Sequence, residues 1–216
     1  MPIAGFFDIL GTREAVLSDR FSDTESLDFA GPVGVAARLF PSMRFAVFSD
    51  SVIVSAESGS ERDFLRATSL MYSNWSADLI YVRGGIAEGE MRWVDAKELD
   101  RLFRSFKNFM FARVYGRGLV LAHELEQRSG PGAISFLTEK AANLLSGVEP
   151  NSVLPGIVPM LCWASQDKAN MMVKYAAMNL QGEPSEGAAR RHAMATKRYW
   201  DEVVAHGKFL PEAYCV

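Results

Sequence analysis

The chain has 216 residues, 49 % apolar and 23 % charged, an ordinary globular composition that excludes a disordered or low-complexity protein. A net charge of −3 gives no global attraction to nucleic acid or an anionic membrane, so an anionic ligand must be met by a metal or by local donors. The two cysteines, Cys162 and Cys215, form no metal-ligand spacing. The N-terminus reads straight into a strand, and no apolar run approaches the roughly 20 residues that cross a bilayer. The expectation is a soluble cytoplasmic protein with free thiols.

In chain order, the first element is a strand over 3–8, whose sequence "IAGFFD" ends on Asp8 and turns at Gly11. Helices are predicted over 12–20 and 25–39, the second broken in two by Pro32 and Gly34. Strands over 43–48 and 51–56 are joined through Ser49-Asp50-Ser51 as a hairpin. A helix over 61–76 leads to a strand over 78–87, where Gly84 and Gly85 mark close backbone approach. Weaker strands follow at 91–94 and 109–114, then a helix over 116–128, a strand at 133–137 and a helix over 137–146. A strand at 158–164 precedes helices over 166–181 and 187–206, with "GEPSEG" at 182–187 as their linker. Long helices between paired strands predict an α+β fold, one domain over 1–216 with an antiparallel-rich sheet and helices on one face.

The chemistry-bearing signal is a pair of acids at strand ends. Asp8 alone reads as a helix cap and Asp50 alone as a turn residue. Adjacent antiparallel strands, however, bring both carboxylates to one end of the sheet. Two hard oxygen ligands with open positions suit Mg²⁺ or Mn²⁺, which bind phosphates through a few carboxylates. The turn Leu10-Gly11-Thr12 enters a helix whose N–H groups suit a phosphate, so the pair reads as a triphosphate site. A haloacid-dehalogenase-like phosphatase is set aside, because Leu10 stands where its general acid would be.

The motifs "FFDILGT", "FSDSVIV", "VRGGIAEGE" and "GRGLVLAHELE", in that order over roughly residues 3–128, resemble class III nucleotide cyclase catalytic domains. The resemblance implies that fold, of ferredoxin-like palm type, with residues 166–208 as a C-terminal helical extension. It makes Asp8 and Asp50 the catalytic metal ligands, with the Ile9 carbonyl adding to a Mn²⁺ or Mg²⁺ site. It assigns the β- and γ-phosphates to the main-chain N–H groups of Leu10, Gly11 and Thr12. Purine cyclases of the family carry an Asn and an Arg where this chain has Val120 and Glu124. Their adenine-reading Lys and Asp fall at about Ala46 and Arg113. The chain is therefore either a degenerate homologue or the maker of another cyclic nucleotide.

The short chain and the Leu-Glu-ended helix look most like bacterial pyrimidine cyclases of the Pycsar anti-phage systems. That likeness implies UTP or CTP as substrate, a homodimer with composite sites, and a product that activates a separate effector. Arg113 and Arg117 are candidates for the base, ribose or transition state, with Ala46 and Phe45 beside the base. His123 and the basic stretch 189–200 read as packed or solvated surface, and Lys168 and Lys174 are not distinguished.

Overall fold

Alternation along strand β1 (Ile3–Ile9) decides where the other elements go. Ile3, Gly5 and Phe7 face one side, and Phe7 is fully buried against Tyr72 and Trp75, at ring separations of 5.9 and 6.3 Å. Ala4, Phe6 and Asp8 face the other. The structure, a computed structural model, describes residues 1–18, 23–94, 113–183 and 186–215.

β1 pairs antiparallel with β3 (Ser51–Ala56) and β4 (Val82–Glu88). Outside β3 lies β2 (Arg44–Phe48). Beyond β4 come β7 (Ser135–Leu137), β9 (Met160–Leu161) and β8 (Val153–Leu154), giving the order β2-β3-β1-β4-β7-β9-β8. Among the described strands only the β4–β7 pairing is parallel, so the α+β, antiparallel-rich reading holds. β5 (Arg92–Val94) and β6 (Arg113–Tyr115) form a separate two-stranded arm.

The odd face of β1 is covered by α3 (Glu61–Ala77), which buries Phe64, Leu65, Tyr72 and Trp75. Each such side chain contributes roughly 1.5–3 kcal/mol by leaving water. Helix α2 (Asp23–Leu39) packs on α3 and is one helix of 17 residues, not the two expected from Pro32. Proline removes one helical hydrogen bond. That loss is offset by burial of Phe29, Val33 and Ala36 along one face, by Phe29 stacking on Trp75 at 5.1 Å, and by the Trp75 indole N–H donating to the Phe29 carbonyl.

Helices occupy both faces of the sheet, contrary to the expectation of one. Helix α4 (Arg117–Arg128) lies on the even face, across β1 and β4. Gly85 permits this, because a Cβ there would stand 1.9 Å from the Ala122 carbonyl oxygen. Helix α5 (Glu139–Val148), capped by the Thr138 hydroxyl, packs against α3 and β4. The C-terminal helices α6 (Gln166–Gly182) and α7 (Ala188–Ala205) pack on each other and send Ala176, Tyr199 and Trp200 into the same core.

Several boundaries moved. Helix α1 (Thr12–Leu17) is shorter than 12–20, and residues 19–20 lie outside those described, as do 109–112 of the strand expected over 109–114. Residues 184–185 of the 182–187 linker also lie outside them. The strand expected from 78 starts only at Val82, because Leu79 takes φ 58° where the chain leaves α3. The strand expected over 158–164 is reduced to the two residues of β9, and β8 was not foreseen.

Candidate active site

Register builds the site. Asp8 stands opposite Ser51 on one side and Arg83 on the other, and Ser51 stands opposite Phe48. Phe48, Ser51, Asp8 and Arg83 therefore form one row across the even face. The next row is Ala46, Ile53, Phe6 and Gly85. His123 on α4 is exposed and meets Phe6 edge-on at 4.8 Å, a packing role consistent with the sequence reading.

Asp50 reaches the same end through a tight turn. Ser49 takes φ 53°, and the Asp50 carbonyl accepts the Ile9 N–H at 3.1 Å, tying the hairpin tip to the end of β1. The Ser51 hydroxyl donates to Asp8 Oδ1 at 2.6 Å and fixes its orientation. Burial raises the Asp8 pKa above its ordinary value. The Ser51 hydrogen bond lowers it, the charges of Asp50 and Glu126 raise it further, and Arg83 lowers it. Among the described residues, the positive charge acting on Asp8 is that of Arg83.

Arg83 is held away from the row by Glu126, the last buried residue of α4. Its Nε donates to Glu126 Oε1 at 2.6 Å, and Nη2 pairs with the same oxygen. Gln127 Nε2 donates to the other oxygen at 2.7 Å. Glu126 is 0 % exposed, an uncommon state for a carboxylate and one that requires such partners.

The residues singled out from sequence fare differently. Asp8 and Asp50 come together. The Ile9 carbonyl accepts from the Thr12 hydroxyl at 3.2 Å. The Leu10 N–H does not face a ligand, because it donates to the Tyr81 carbonyl at 2.8 Å; Gly11 and Thr12 follow at the start of α1. Ala46 lies on the acid-bearing face. Phe45 does not: its neighbour in register is Val54, and it packs against the core, since adjacent strand residues take opposite faces.

Arg113 and Arg117 do not join the acids within one chain. Arg113 lies over the Tyr115 ring at 4.8 Å, on the side of the arm away from Trp93, whose indole N–H donates to Ser55. Arg117 lines a cleft at the far end of β4, with Glu88, Arg92 and Lys140. Lys168 is occupied elsewhere, donating to the Ser73 carbonyl at 3.1 Å.

Sequence reasoning missed Arg83 and Glu126 as partners of this site. The available signal was spacing: Glu126 lies four residues beyond Ala122 on one helix face, and Arg83 two residues before Gly85 on one strand face.

Among the described residues, no group of three or more His, Cys, Asp or Glu side chains is arranged to hold a metal ion. Two carboxylates at an open sheet end do match the donor set of Mg²⁺ or Mn²⁺, whose remaining positions are filled by water and substrate oxygens. They do not match a closed structural zinc site. Among the described residues, no helix is long and apolar enough to cross a membrane.

No protein-family model and no curated protein matches the sequence. Solved structures match the fold. The guanylyl cyclase domain of the RhoGC fusion protein from the aquatic fungus Blastocladiella emersonii, in a monomeric double-mutant form, aligns with TM-score 0.51 at 10 % identity, covering 74 % of this chain and 92 % of that one. The guanylyl cyclase Cya2 aligns with TM-score 0.48 at 11 % identity over 74 % and 90 % of the two chains. A bacterial light-regulated adenylyl cyclase gives 0.47 and 14 % over 74 % and 88 %. The fungal domain carries the comparison, and what it shows is the fold: this chain folds as class III nucleotide cyclase domains do.

Proposed function

We propose that this protein is a metal-dependent pyrimidine nucleotide cyclase that converts UTP to 3′,5′-cyclic UMP and pyrophosphate. The observation that carries the reading is the meeting of Asp8 and Asp50 at one sheet end, with the Ser51 hydroxyl on Asp8. A divalent cation held by Asp8, Asp50 and the Ile9 carbonyl would supply Lewis acidity at the α-phosphate and favour ionisation of the ribose 3′-hydroxyl. Ser51 orients Asp8. Gly11 and Thr12 offer the main-chain donors for the β- and γ-phosphates, with Leu10 removed from that set by its bond to Tyr81.

Arg113 is the base-reading residue in this proposal. Uracil presents carbonyl acceptors on both sides of its N3–H, and a guanidinium has only donors. Phe48, rather than Phe45, stands on the acid-bearing face to narrow the pocket. Because Arg113 and Arg117 sit apart from the acids of their own chain, the complete site is composite, built across a homodimer. Val47, Phe48, Val16 and Leu17 form an exposed apolar rim at the acid end that suits an isologous contact. The product then acts as a messenger on a separate effector, in the manner of anti-phage signalling.

A second reading, a non-catalytic nucleotide-binding homologue, draws on Val120, 56 % exposed, and Glu124, where purine cyclases carry stabilising side chains. Substitution of the acids separates the two. Asp8→Asn and Asp50→Asn remove charge with little change of volume, so each should abolish turnover in Mn²⁺ while the thermal melt stays near wild type. A folded Asp50→Asn protein with normal turnover would remove the metal assignment.

A further inference from the structure

The row that carries Asp8 contains a hazard. In an antiparallel pair, side chains directly opposite have Cβ atoms about 4.5–5.5 Å apart, so the Arg83 guanidinium can reach the Asp8 carboxylate. Arginine and carboxylate form a strong two-pronged pair. Such a pair would fill the oxygens that the metal reading requires. It does not form. Arg83 Nε and Nη2 turn to Glu126, and Nη1 lies 3.5 Å from the Gly130 carbonyl.

We propose that Glu126 is a positioning residue that captures Arg83, keeping it from closing on Asp8 and leaving Asp8 open for a divalent cation. This rests on the metal site proposed above. Three features support the assignment. Glu126 is completely buried and Arg83 is 18 % exposed, so the pair is shielded from water and its geometry is fixed on both sides. Gln127 binds the second Glu126 oxygen, holding the carboxylate in place. Gly85 lets α4 descend until its Ala122 and Glu126 backbone lies on β4, two residues along the same face from Arg83. Without that descent Glu126 could not compete with Asp8 for the guanidinium. The arrangement still keeps the Arg83 charge close enough to act on Asp8, but not bonded to it.

A role confined to fold stability predicts that any break of the pair harms the protein in proportion to lost stability. The capture role predicts a sign reversal. Glu126→Gln frees Arg83 to pair with Asp8, so Mn²⁺ binding should weaken by about tenfold or more. Adding Arg83→Met in the same chain removes the competitor, and Mn²⁺ binding should return to within about threefold of wild type. The test is a titration of each folded protein with Mn²⁺ alone, following free Mn²⁺ by electron paramagnetic resonance, with a thermal melt on the same samples. If Glu126→Gln does not fold, the apolar pair Arg83→Met with Glu126→Met serves, since exchanging both members of a buried ion pair is commonly tolerated. It should bind Mn²⁺ at least as tightly as wild type.

Equal Mn²⁺ affinity in wild type and folded Glu126→Gln would overturn the proposal. So would a double variant no better than the single one, or weakened binding in the apolar pair. Asp8→Asn protein that binds Mn²⁺ like wild type would instead remove the metal site itself, a result that the Glu126 variants cannot mimic.

Discussion

The two ends of the central sheet carry opposite chemistry. At one end Asp50, Glu126 and the Arg83 guanidinium lie near Asp8, and burial raises the proton affinity of Asp8. At the other, a cleft of about 420 Å³ collects Arg92, Arg117 and Lys140 beside Glu88, Glu90 and Tyr115. Glu88 is satisfied there: it accepts the Thr138 hydroxyl at 2.6 Å and has Lys140 at 4.0 Å. Ile3, opposite Glu88, lies five residue steps along β1 from Asp8, about 17 Å at the rise of a strand. One chain cannot fold that distance away, because the sheet between them is the core of the molecule. A second copy can bring the cationic end of one to the acidic end of the other, which is the physical content of the composite-site proposal.

The strongest way to break the comparison is to disturb the surface between the ends. Gly85→Ala places a methyl group against the backbone of Ala122 and must lift α4. A cost of about 1–3 kcal/mol or more follows from overpacking, a fall of several degrees or more in the melting temperature at this chain length. Gly147→Ala, on α5 with open space around it, should be neutral or slightly stabilising in the same melt. Equal melts for the two variants would refute the close approach.

Mixing sharpens it. Asp8→Asn and Arg117→Ala proteins should each be inactive alone. Combined in equal amounts and allowed to exchange subunits, they should recover roughly a quarter of wild-type turnover, because half the dimers are mixed and each mixed dimer has one intact site. No recovery, with exchange shown by a tagged subunit, would place both residues in one chain's site.

Base selection should change by less. Leaving a donor opposed to a donor costs about 1–3 kcal/mol, so Arg113→Ala should lower the UTP-over-CTP preference by about ten- to a hundredfold in kcat/KM. Unchanged selectivity would assign Arg113 to its stack on Tyr115 alone.

The smallest effect concerns the joint between the acid end and the C-terminal helices. His192 on α7 accepts the Gly132 N–H through Nδ1 at 3.0 Å. Burial lowers its pKa, as do the nearby charges of Arg83 and Arg191. A folded pKa below the unfolded value means that the unfolded chain binds the extra proton more readily. Stability from this group is therefore present above about pH 6.5 and declines as pH falls below it. Melts between pH 7.5 and 5.5, on the order of that window, should show a smaller acid-side decline in His192→Gln. An identical decline would assign it elsewhere.

What was legible in the sequence follows the range of each signal. Asp8 and Asp50 were readable because a strand ending in an acid and a Ser-Asp-Ser turn are local patterns. Phe45 was misplaced by one residue of register, and a slip of one reverses the face. Glu126 was seen only as part of a motif, since a glutamate on a helix reads as solvated surface until the helix is known to lie on Gly85. Pro32 failed as a helix breaker because Trp75, far along the chain, holds its helix together. The two-residue strand β8 is too short for any periodicity to announce.

The most direct test of the central claim is a product assay. Wild-type protein incubated with Mn²⁺ and each of the four ribonucleoside triphosphates in turn, with products identified by mass spectrometry, should yield cyclic UMP and pyrophosphate fastest, cyclic CMP more slowly, and little from ATP or GTP. A cyclic purine as the main product, or no cyclic nucleotide from any of the four, would contradict the account.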